Sequence, residues 1–140
     1  MNTKTPNVGI DILVTKESKI LLGLLTKKWA INGIRVYGLP GRDIVFQEKM
    51  GDCVKRNIHE EFGCEVTNYK IICVNANYEW GNHYINIGVL VEIEGEVKVL
   101  KPDDWEKWEW FELEKLPQNL LPSAKNTIDS YLLKKVCISE

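Results

Sequence analysis

The stretch over residues 49–62 constrains the fold most, because its apolar residues recur at helical spacing in a chain otherwise rich in strand-like alternation. Successive residues of a helix are about 100° apart around its axis. On such a wheel, the apolar residues lie within half of the circle, as in a helix that faces a core. They are Met50, Cys53, Val54, Ile58 and Phe62. Gly63 then suits the left-handed conformation that commonly ends a helix. The pattern therefore predicts an amphipathic helix over residues 49–62.

Two polar side chains, Asn57 and Glu61, fall within the same apolar arc, and Arg56 and Glu60 lie at its edge. A carboxylate on a buried stripe is costly unless something pairs with it, and the adjacent Glu60 and Glu61 place two like charges together. A hard cation resolves both problems, because Mg²⁺ prefers carboxylate oxygens. Alternatively, Arg56 pairs with Glu60 at i, i+4 and Glu61 points into solvent at a frayed helix end. The helix by itself leaves both interpretations open.

Alternation and turn residues predict the remaining elements. The predicted strands cover residues 8–14, 20–25, 36–39, 66–80, 84–93, 97–100 and 108–112. The first two form a hairpin, and a second amphipathic helix is predicted over residues 123–135. Strands with one central and one terminal helix indicate the α/β class, as a sandwich with a mixed β-sheet. The length of 140 residues suits one domain, which we place at residues 1–140.

Composition narrows the classes of partner. The formal net charge of −2 offers no basic surface for duplex nucleic acid, and no apolar run is long enough to span a membrane. The first residues lack the apolar core of a signal peptide, so we expect a cytoplasmic protein. The four widely spaced cysteines are expected to be mainly buried free thiols.

The segment over residues 38–64 resembles the Nudix box, whose pattern is G-x5-E-x7-R-E-U-x-E-E-x-G-U with U aliphatic. The positions that match in register are Glu48, Arg56, Ile58, Glu60, Glu61 and Gly63. Leu39-Pro40-Gly41 matches the usual lead-in, and residues 108–111 with Leu116-Pro117 are similar to a segment near the end of MutT-type nucleotide hydrolases. The resemblance covers roughly residues 7–135 and implies a Nudix-type α/β/α sandwich around a mixed β-sheet.

The resemblance also implies a metal site. Glu60 and Glu61 would bind Mg²⁺, or Mn²⁺ as a substitute, with Glu61 as the dominant ligand and the Gly41 carbonyl completing the site. Glu48 would lie at the edge of the cluster, and Arg56 would orient the glutamates through charge-assisted hydrogen bonds. The implied reaction is attack of water on a phosphorus of a nucleoside diphosphate-linked small molecule, foremost a nucleoside triphosphate.

Two positions depart from the Nudix pattern. Arg42 stands where the box opens with glycine, and Asn57 stands where the family has a catalytic glutamate. An amide oxygen can coordinate a cation but cannot take a proton at neutral pH. One interpretation is therefore an active pyrophosphohydrolase with another carboxylate as base, the candidates being Glu48, Glu60, Glu106 and Asp103. The other is a catalytically weak Nudix domain that binds a nucleotide or a protein partner as a sensor.

The tryptophans near the end of the chain give the last prediction. Trp108 and Trp110 face one side of a predicted strand and are expected to be core residues. Trp105 and Glu106 are placed outside that strand and are predicted to form a substrate-binding wall. A protein-interaction module that forms a homodimer through its strands remains a further alternative.

Overall fold

The computed structural model describes residues 4–139 and contains a mixed sheet of six strands with two α-helices. The strands are β1 (Asn7–Lys16), β2 (Lys19–Leu25), β3 (Tyr37–Gly38), β4 (Glu65–Glu79), β5 (Asn82–Glu94) and β6 (Trp105–Glu112). The helices are α1 (Met50–Phe62) and α2 (Pro122–Leu133), and short 3-10 turns occur at Lys27–Trp29 and Leu113–Lys115. The predicted mixed-sheet α/β sandwich is confirmed.

The sheet opens between its first two strands. The strands follow the order β3-β2-β1-β5-β4, and β6 also pairs with β2. Among the strands of residues 4–139, β1 and β5 form the parallel pair. β1 and β2 pair only beside their hairpin turn, at Thr15 with Ile20 and at Lys16 with Lys19. Beyond this point the backbone of residues 40–42 takes the place beside β1, with Ile10 and Ile12 donating to the carbonyls of Arg42 and Pro40. The divergence of β1 from β2 creates the cleft described below.

The two helices cover separate parts of the core. One apolar cluster joins the α1 stripe, including Val54, Ile58 and Phe62, to the β1 residues Ile10 and Ile12. The second joins Ala124 and Ile128 of α2 to apolar residues of β1 and β2 such as Leu13 and Leu22. The alternation of β1 places its even-numbered residues toward α1 and its odd-numbered residues toward α2. This alternation decides which helix each side chain of β1 meets.

The helix over residues 49–62 and the 8–14/20–25 hairpin are confirmed, and Gly63 has the left-handed φ of 73°. The predicted strand over residues 97–100 is wrong, because this segment has no ladder partner within residues 4–139 and crosses the end of α1 as coil. Lys98 donates to the Phe62 carbonyl there. The last strand starts at Trp105 rather than 108, since β2 continues to pair with it as far as Leu25. Trp105 and Glu106 therefore lie inside β6.

The remaining expectations concern the cysteines, membrane-spanning helices, the segment over residues 36–39 and the second helix. All four cysteines are free thiols, three of them buried and Cys137 half-buried. Among residues 4–139, no helix is long and apolar enough to cross a membrane. The predicted extended piece over residues 36–39 narrows to β3, and the second helix begins with Pro122, a residue suited to a first helical turn.

Candidate active site

A cleft of about 410 Å³ lies where β1 and β2 separate. Its lining comes from β1, residues 39–43, the end of α1, the β4–β5 turn, Trp105 and the start of α2. Carboxyl groups from three elements reach it while being almost fully buried: Asp11, Glu61 and Glu79. Because buried charge is costly without compensation, these groups mark the cleft as the chemically unusual part of the molecule.

Glu61 is the most unusual of the three. Glu61 is only 1% exposed, yet neither of its carboxylate oxygens has a hydrogen-bond partner among the described residues. Burial raises the pKa of Glu61, and the Lys101 charge, the nearby Trp105 indole N–H and the Arg42 charge only partly oppose that effect. The interpretation in which Glu61 points into solvent is wrong, because the last turn of α1 is capped by Gly63 and directs this residue inward. The side chain thus presents two unsatisfied acceptor oxygens at the cleft.

Arg56 joins α1 to the loop that precedes it. Its guanidinium donates to both oxygens of Glu48 at 2.8 and 3.0 Å, to Glu60 at 3.3 Å, and to the Asp43 carbonyl at 2.9 Å. The hydrogen bonds from Arg56 lower the pKa of Glu48 to about 2. Arg56 thereby holds Glu48 and Glu60 in place, whereas it makes no hydrogen bond to Glu61 among these contacts.

Asn57 is 2% exposed and bonded at both ends of its amide. Its Oδ1 accepts from the Arg42 backbone N–H at 2.9 Å, and its Nδ2 donates to the carbonyls of Cys53 and Asp43 at 2.9 and 3.3 Å. A carboxylate at this position could accept from Arg42 but would face two carbonyl oxygens with no proton to share. Asn57 therefore ties α1 to the loop before it, and its oxygen is already engaged.

The loop before α1 lacks the glycine that opens the Nudix box, and it makes its tight turn at a different residue. Arg42 is not among the described residues with positive φ, whereas Gly41 has φ of 114° and Gln47 has φ of 68°. A Cβ on Gly41 would lie 2.3 Å from the Ile10 carbonyl oxygen. Only glycine fits a conformation this close to a neighbouring strand. Gly41 thus carries the tight turn, and Gln47 adopts the left-handed conformation that non-glycine residues seldom take.

Asp11 and Glu79 are cleft residues that the sequence interpretation did not select. Burial, followed by the nearby Glu79 charge, raises the pKa of Asp11 to about 7. Glu79 accepts from the backbone N–H and the hydroxyl of Ser123 in the first turn of α2, at 2.8 and 3.1 Å. Burial nevertheless raises the pKa of Glu79 as well. A charged residue in the middle of the apolar strand over residues 8–14 was the available signal for Asp11.

The predicted substrate wall is only half within the cleft. Trp105 lines the cleft and packs on Trp108, with ring centroids 4.2 Å apart. Glu106 points to the opposite side of β6, is exposed, and pairs with Arg35 outside the cleft lining. A second aromatic pair, Trp29 and Trp80, lines the cleft instead, with centroids 5.2 Å apart.

The model of the NUDIX domain family matches residues 5–133. The chain belongs to the Nudix family. The NAD-capped RNA hydrolase NudC of Pseudomonas aeruginosa is 31% identical to this Nudix chain over 130 residues, which cover 89% of the chain and 43% of NudC. The chain therefore spans less than half the length of this curated relative.

Solved Nudix structures share the fold. The MutT Nudix hydrolase from Burkholderia pseudomallei superimposes with a TM-score of 0.80 at 27% identity, over 90% of this chain and 98% of that one. The MutT protein from Methanosarcina mazei Go1 gives a TM-score of 0.78 at 18% identity, over 96% and 98% of the two chains. These superpositions show that the chain has the fold of solved Nudix proteins.

The acidic residues of this Nudix domain suit a cation held by few protein ligands. Within residues 4–139, no group of three or more His, Cys, Asp or Glu side chains is arranged to hold a metal ion. Mg²⁺ is commonly held by one or two carboxylates, with waters and substrate phosphates in its other positions. The unsatisfied oxygens of Glu61 fit that role, since a cation would supply the compensation that the protein does not.

Proposed function

We propose that this Nudix domain is a metal-dependent pyrophosphohydrolase that acts on nucleoside diphosphate-linked substrates, foremost nucleoside triphosphates, by attack of water on a phosphorus. The observation that carries the proposal is the buried Glu61 carboxylate, which lines the cleft without a hydrogen-bond partner among the described residues. A buried carboxylate without a partner costs stability. A residue that costs stability is retained where function requires it.

Glu61, Glu60 and the backbone carbonyl of Gly41 are the proposed ligands of Mg²⁺, with Mn²⁺ as a substitute. The bound cation would neutralise the diphosphate and lower the pKa of the attacking water. Arg56 orients Glu60 and Glu48 from the exposed side of α1 rather than contacting substrate. Asn57 fixes the loop that carries Gly41, through its bond to the Arg42 N–H.

Arg42 is the basic residue of a cleft lining that otherwise contains carboxyl groups. Its side chain is 58% exposed, lies 3.8 Å from Asp104, and belongs to a residue that lines the cleft. In a chain with a net charge of −2, attraction of a polyphosphate needs such a local device. Arg42 is therefore the proposed phosphate contact beside the metal.

Glu60 is the proposed proton acceptor among the four candidate carboxylates. Glu48 has its pKa lowered to about 2 by Arg56, which makes it a weak base at neutral pH. Glu106 lies on β6 and Asp103 in the loop before it, so neither is a neighbour of Glu61 along α1. Glu60 is adjacent to Glu61 on α1, and its 44% exposed side chain is open to water.

A second candidate function is a catalytically weak domain that binds a nucleotide or a protein partner. The observation that favours it is Asn57, whose amide can take no proton and whose oxygen is already bonded to the Arg42 N–H. The similarity to NudC adds NAD-linked molecules to the substrates worth testing.

A cytoplasmic location and a homodimer remain proposals, and light scattering tests the second of them.

The test is release of phosphate or pyrophosphate with Mg²⁺ or Mn²⁺ from nucleoside triphosphates, dinucleoside polyphosphates, nucleotide sugars, ADP-ribose and NAD. The enzyme proposal predicts turnover that Glu61→Gln abolishes and that the control Glu65→Gln, at an exposed position of β4, retains. If no substrate turns over and Asn57→Glu creates activity, the binding function replaces the enzyme. Such a gain would also show that the loop tolerates loss of the Asn57 amide donors.

A further inference from the structure

The two carboxylates that are the proposed metal ligands have a positively charged side chain beside them. The Nζ atom of Lys101 lies 3.9 Å from Oε2 of Glu60, and the Lys101 side chain is 28% exposed. Among the groups that oppose the effect of burial on the pKa of Glu61, Lys101 has the largest effect. The proposed hydrolysis assigns no role to this ammonium group.

The backbone around Lys101 is fixed by hydrogen bonds on both sides of its loop. The Lys101 carbonyl accepts from the N–H groups of Asp104 and Trp105, each at 3.0 Å, where β6 begins. Earlier in the loop, Lys98 donates its N–H to the Phe62 carbonyl at the end of α1, at 3.2 Å. These bonds hold the loop against the last turn of α1, so the Lys101 side chain starts beside the proposed ligands.

Arg56 also contacts Glu60, but its charge is engaged elsewhere. Its guanidinium donates to both oxygens of Glu48 at 2.8 and 3.0 Å and to the Asp43 carbonyl at 2.9 Å, whereas its bonds to Glu60 are 3.3 and 3.4 Å long. Lys101 has one ion pair among the described residues, and its length of 3.9 Å is too great for a hydrogen bond. Lys101 is therefore the cation that can leave Glu60 without breaking a hydrogen bond.

A divalent cation and an ammonium group compete for the same carboxylates. Like charges a few ångströms apart repel each other appreciably even near a protein surface. A lysine has a flexible stem and a strongly hydrated charge, so it can turn from a carboxylate to water. A metal ion would also satisfy the two Glu61 oxygens that have no hydrogen-bond partner among the described residues. Entry of the metal should therefore expel the Lys101 ammonium from the pair.

We propose that Lys101 is the counter-ion of the Glu60–Glu61 pair in the metal-free protein, and that it competes with the divalent cation for these carboxylates. Lys101 is a positioning residue, because it acts through the two glutamates and does not contact the substrate. It sets the metal concentration at which the site fills. This inference rests on the proposed function only in taking Glu60 and Glu61 as the metal ligands.

Titration of the substrate-free protein with Mn²⁺, followed by the electron paramagnetic resonance signal of free Mn²⁺, tests the competition. We expect Lys101→Met, which keeps the side-chain length and removes the charge, to bind Mn²⁺ roughly tenfold more tightly than the wild type. Lys101→Gln makes the same charge change with a polar side chain and should show the same gain. Lys101→Arg retains the charge and should show no gain. The matched control Lys98→Met removes an exposed lysine of the same loop and should stay within about twofold of the wild type.

Thermal melting gives a second readout that does not depend on activity. A ligand that binds the native state raises the melting temperature, and the rise grows with affinity. At one fixed concentration of Mn²⁺, the rise should be larger for Lys101→Met than for the wild type. Lys98→Met should show the same rise as the wild type.

Equal or weaker Mn²⁺ binding by Lys101→Met and Lys101→Gln, relative to the wild type, overturns the inference. An equal gain in Lys98→Met also overturns it, since the effect would then come from net charge alone. Absence of Mn²⁺ binding in the wild type and in all of the variants does the same. Metal-dependent turnover without the gain would defeat this inference and leave the proposed function intact, whereas the gain without turnover of any substrate would do the reverse.

Discussion

Replacing Asp11 by asparagine should stabilise the protein at neutral and alkaline pH and have little effect at acidic pH. The side chain keeps its shape and loses its charge, in a place where burial and the nearby Glu79 raise the pKa of the Asp11 carboxyl from 3.8 to about 7. The folded protein therefore binds a proton at Asp11 that the unfolded chain releases near pH 4. The difference of about 3 in pKa corresponds to at most about 4 kcal/mol of lost stability above pH 7.

The sign follows from this linkage. Below pH 3.8 the carboxyl is protonated in both states, and Asp11→Asn should have little effect. As the pH rises through the interval up to about 7, the wild-type protein loses stability at this site, and the variant does not. At about 2–4 °C per kcal/mol for a domain near this size, the variant should melt on the order of 10 °C higher at pH 8.

Differential scanning calorimetry of both proteins from pH 3.5 to pH 8 measures this divergence. Asp52→Asn serves as the control, because Asp52 is an exposed acid on α1. Its melting temperature should follow that of the wild type across the range. If Asp11→Asn melts at the same temperature as the wild type at pH 8, or if its gain is equal at pH 3.5 and pH 8, burial of the Asp11 charge does not destabilise the protein.

Three further predictions concern the loop and its contacts with α1. Gly41→Ala should lower the melting temperature by several degrees, since its Cβ would lie 2.3 Å from the Ile10 carbonyl oxygen; an unchanged melt contradicts it. Asn57→Asp should lose about 1–3 kcal/mol in urea unfolding at pH 7, because two buried carbonyls lose their donor, and should lose less at pH 4. Glu48→Gln should flatten the acid-unfolding profile below pH 4.5, because Arg56 lowers the pKa of Glu48 to about 2; a profile that stays as steep contradicts it.

Local patterns were sufficient for α1, whereas the helix by itself left the inward and the solvent-facing directions of Glu61 both open. The helical period, the cap at Gly63 and the position of Glu61 on the apolar stripe are properties of neighbouring residues along the chain. The hairpin was predictable for the same reason, since its turn and its two strands are contiguous. Segments whose structure depends on distant partners were predicted less well: residues 97–100 have strand-like composition but no ladder partner, and Trp105 joins β6 only because β2 extends to Leu25.

The floor of the cleft depends on tertiary structure. Asp11 and Glu79 come from β1 and β4, which are not neighbours in the sheet, and Ser123 reaches Glu79 from α2. Nothing in the spacing of these residues indicates that they meet. Glu106 was wrongly placed in the cleft for a local reason. Successive residues of a strand face opposite sides, so Glu106 points away from the side on which Trp105 lines the cleft. Its predicted role depended on a strand boundary that differed by three residues.

We propose that the Glu61 carboxylate has no hydrogen-bond partner among the described residues because a divalent cation and a nucleotide complete its site. The most direct measurement is the initial rate of phosphate or pyrophosphate release as a function of Mg²⁺ for the wild type, Glu61→Gln and the control Glu65→Gln, together with metal-free melting temperatures. We expect Mg²⁺-dependent turnover that is lost only in Glu61→Gln. That variant should also have a higher metal-free melting temperature, because a neutral amide replaces a carboxyl whose pKa burial raises. Turnover that persists in Glu61→Gln, or that needs no divalent cation, would contradict it.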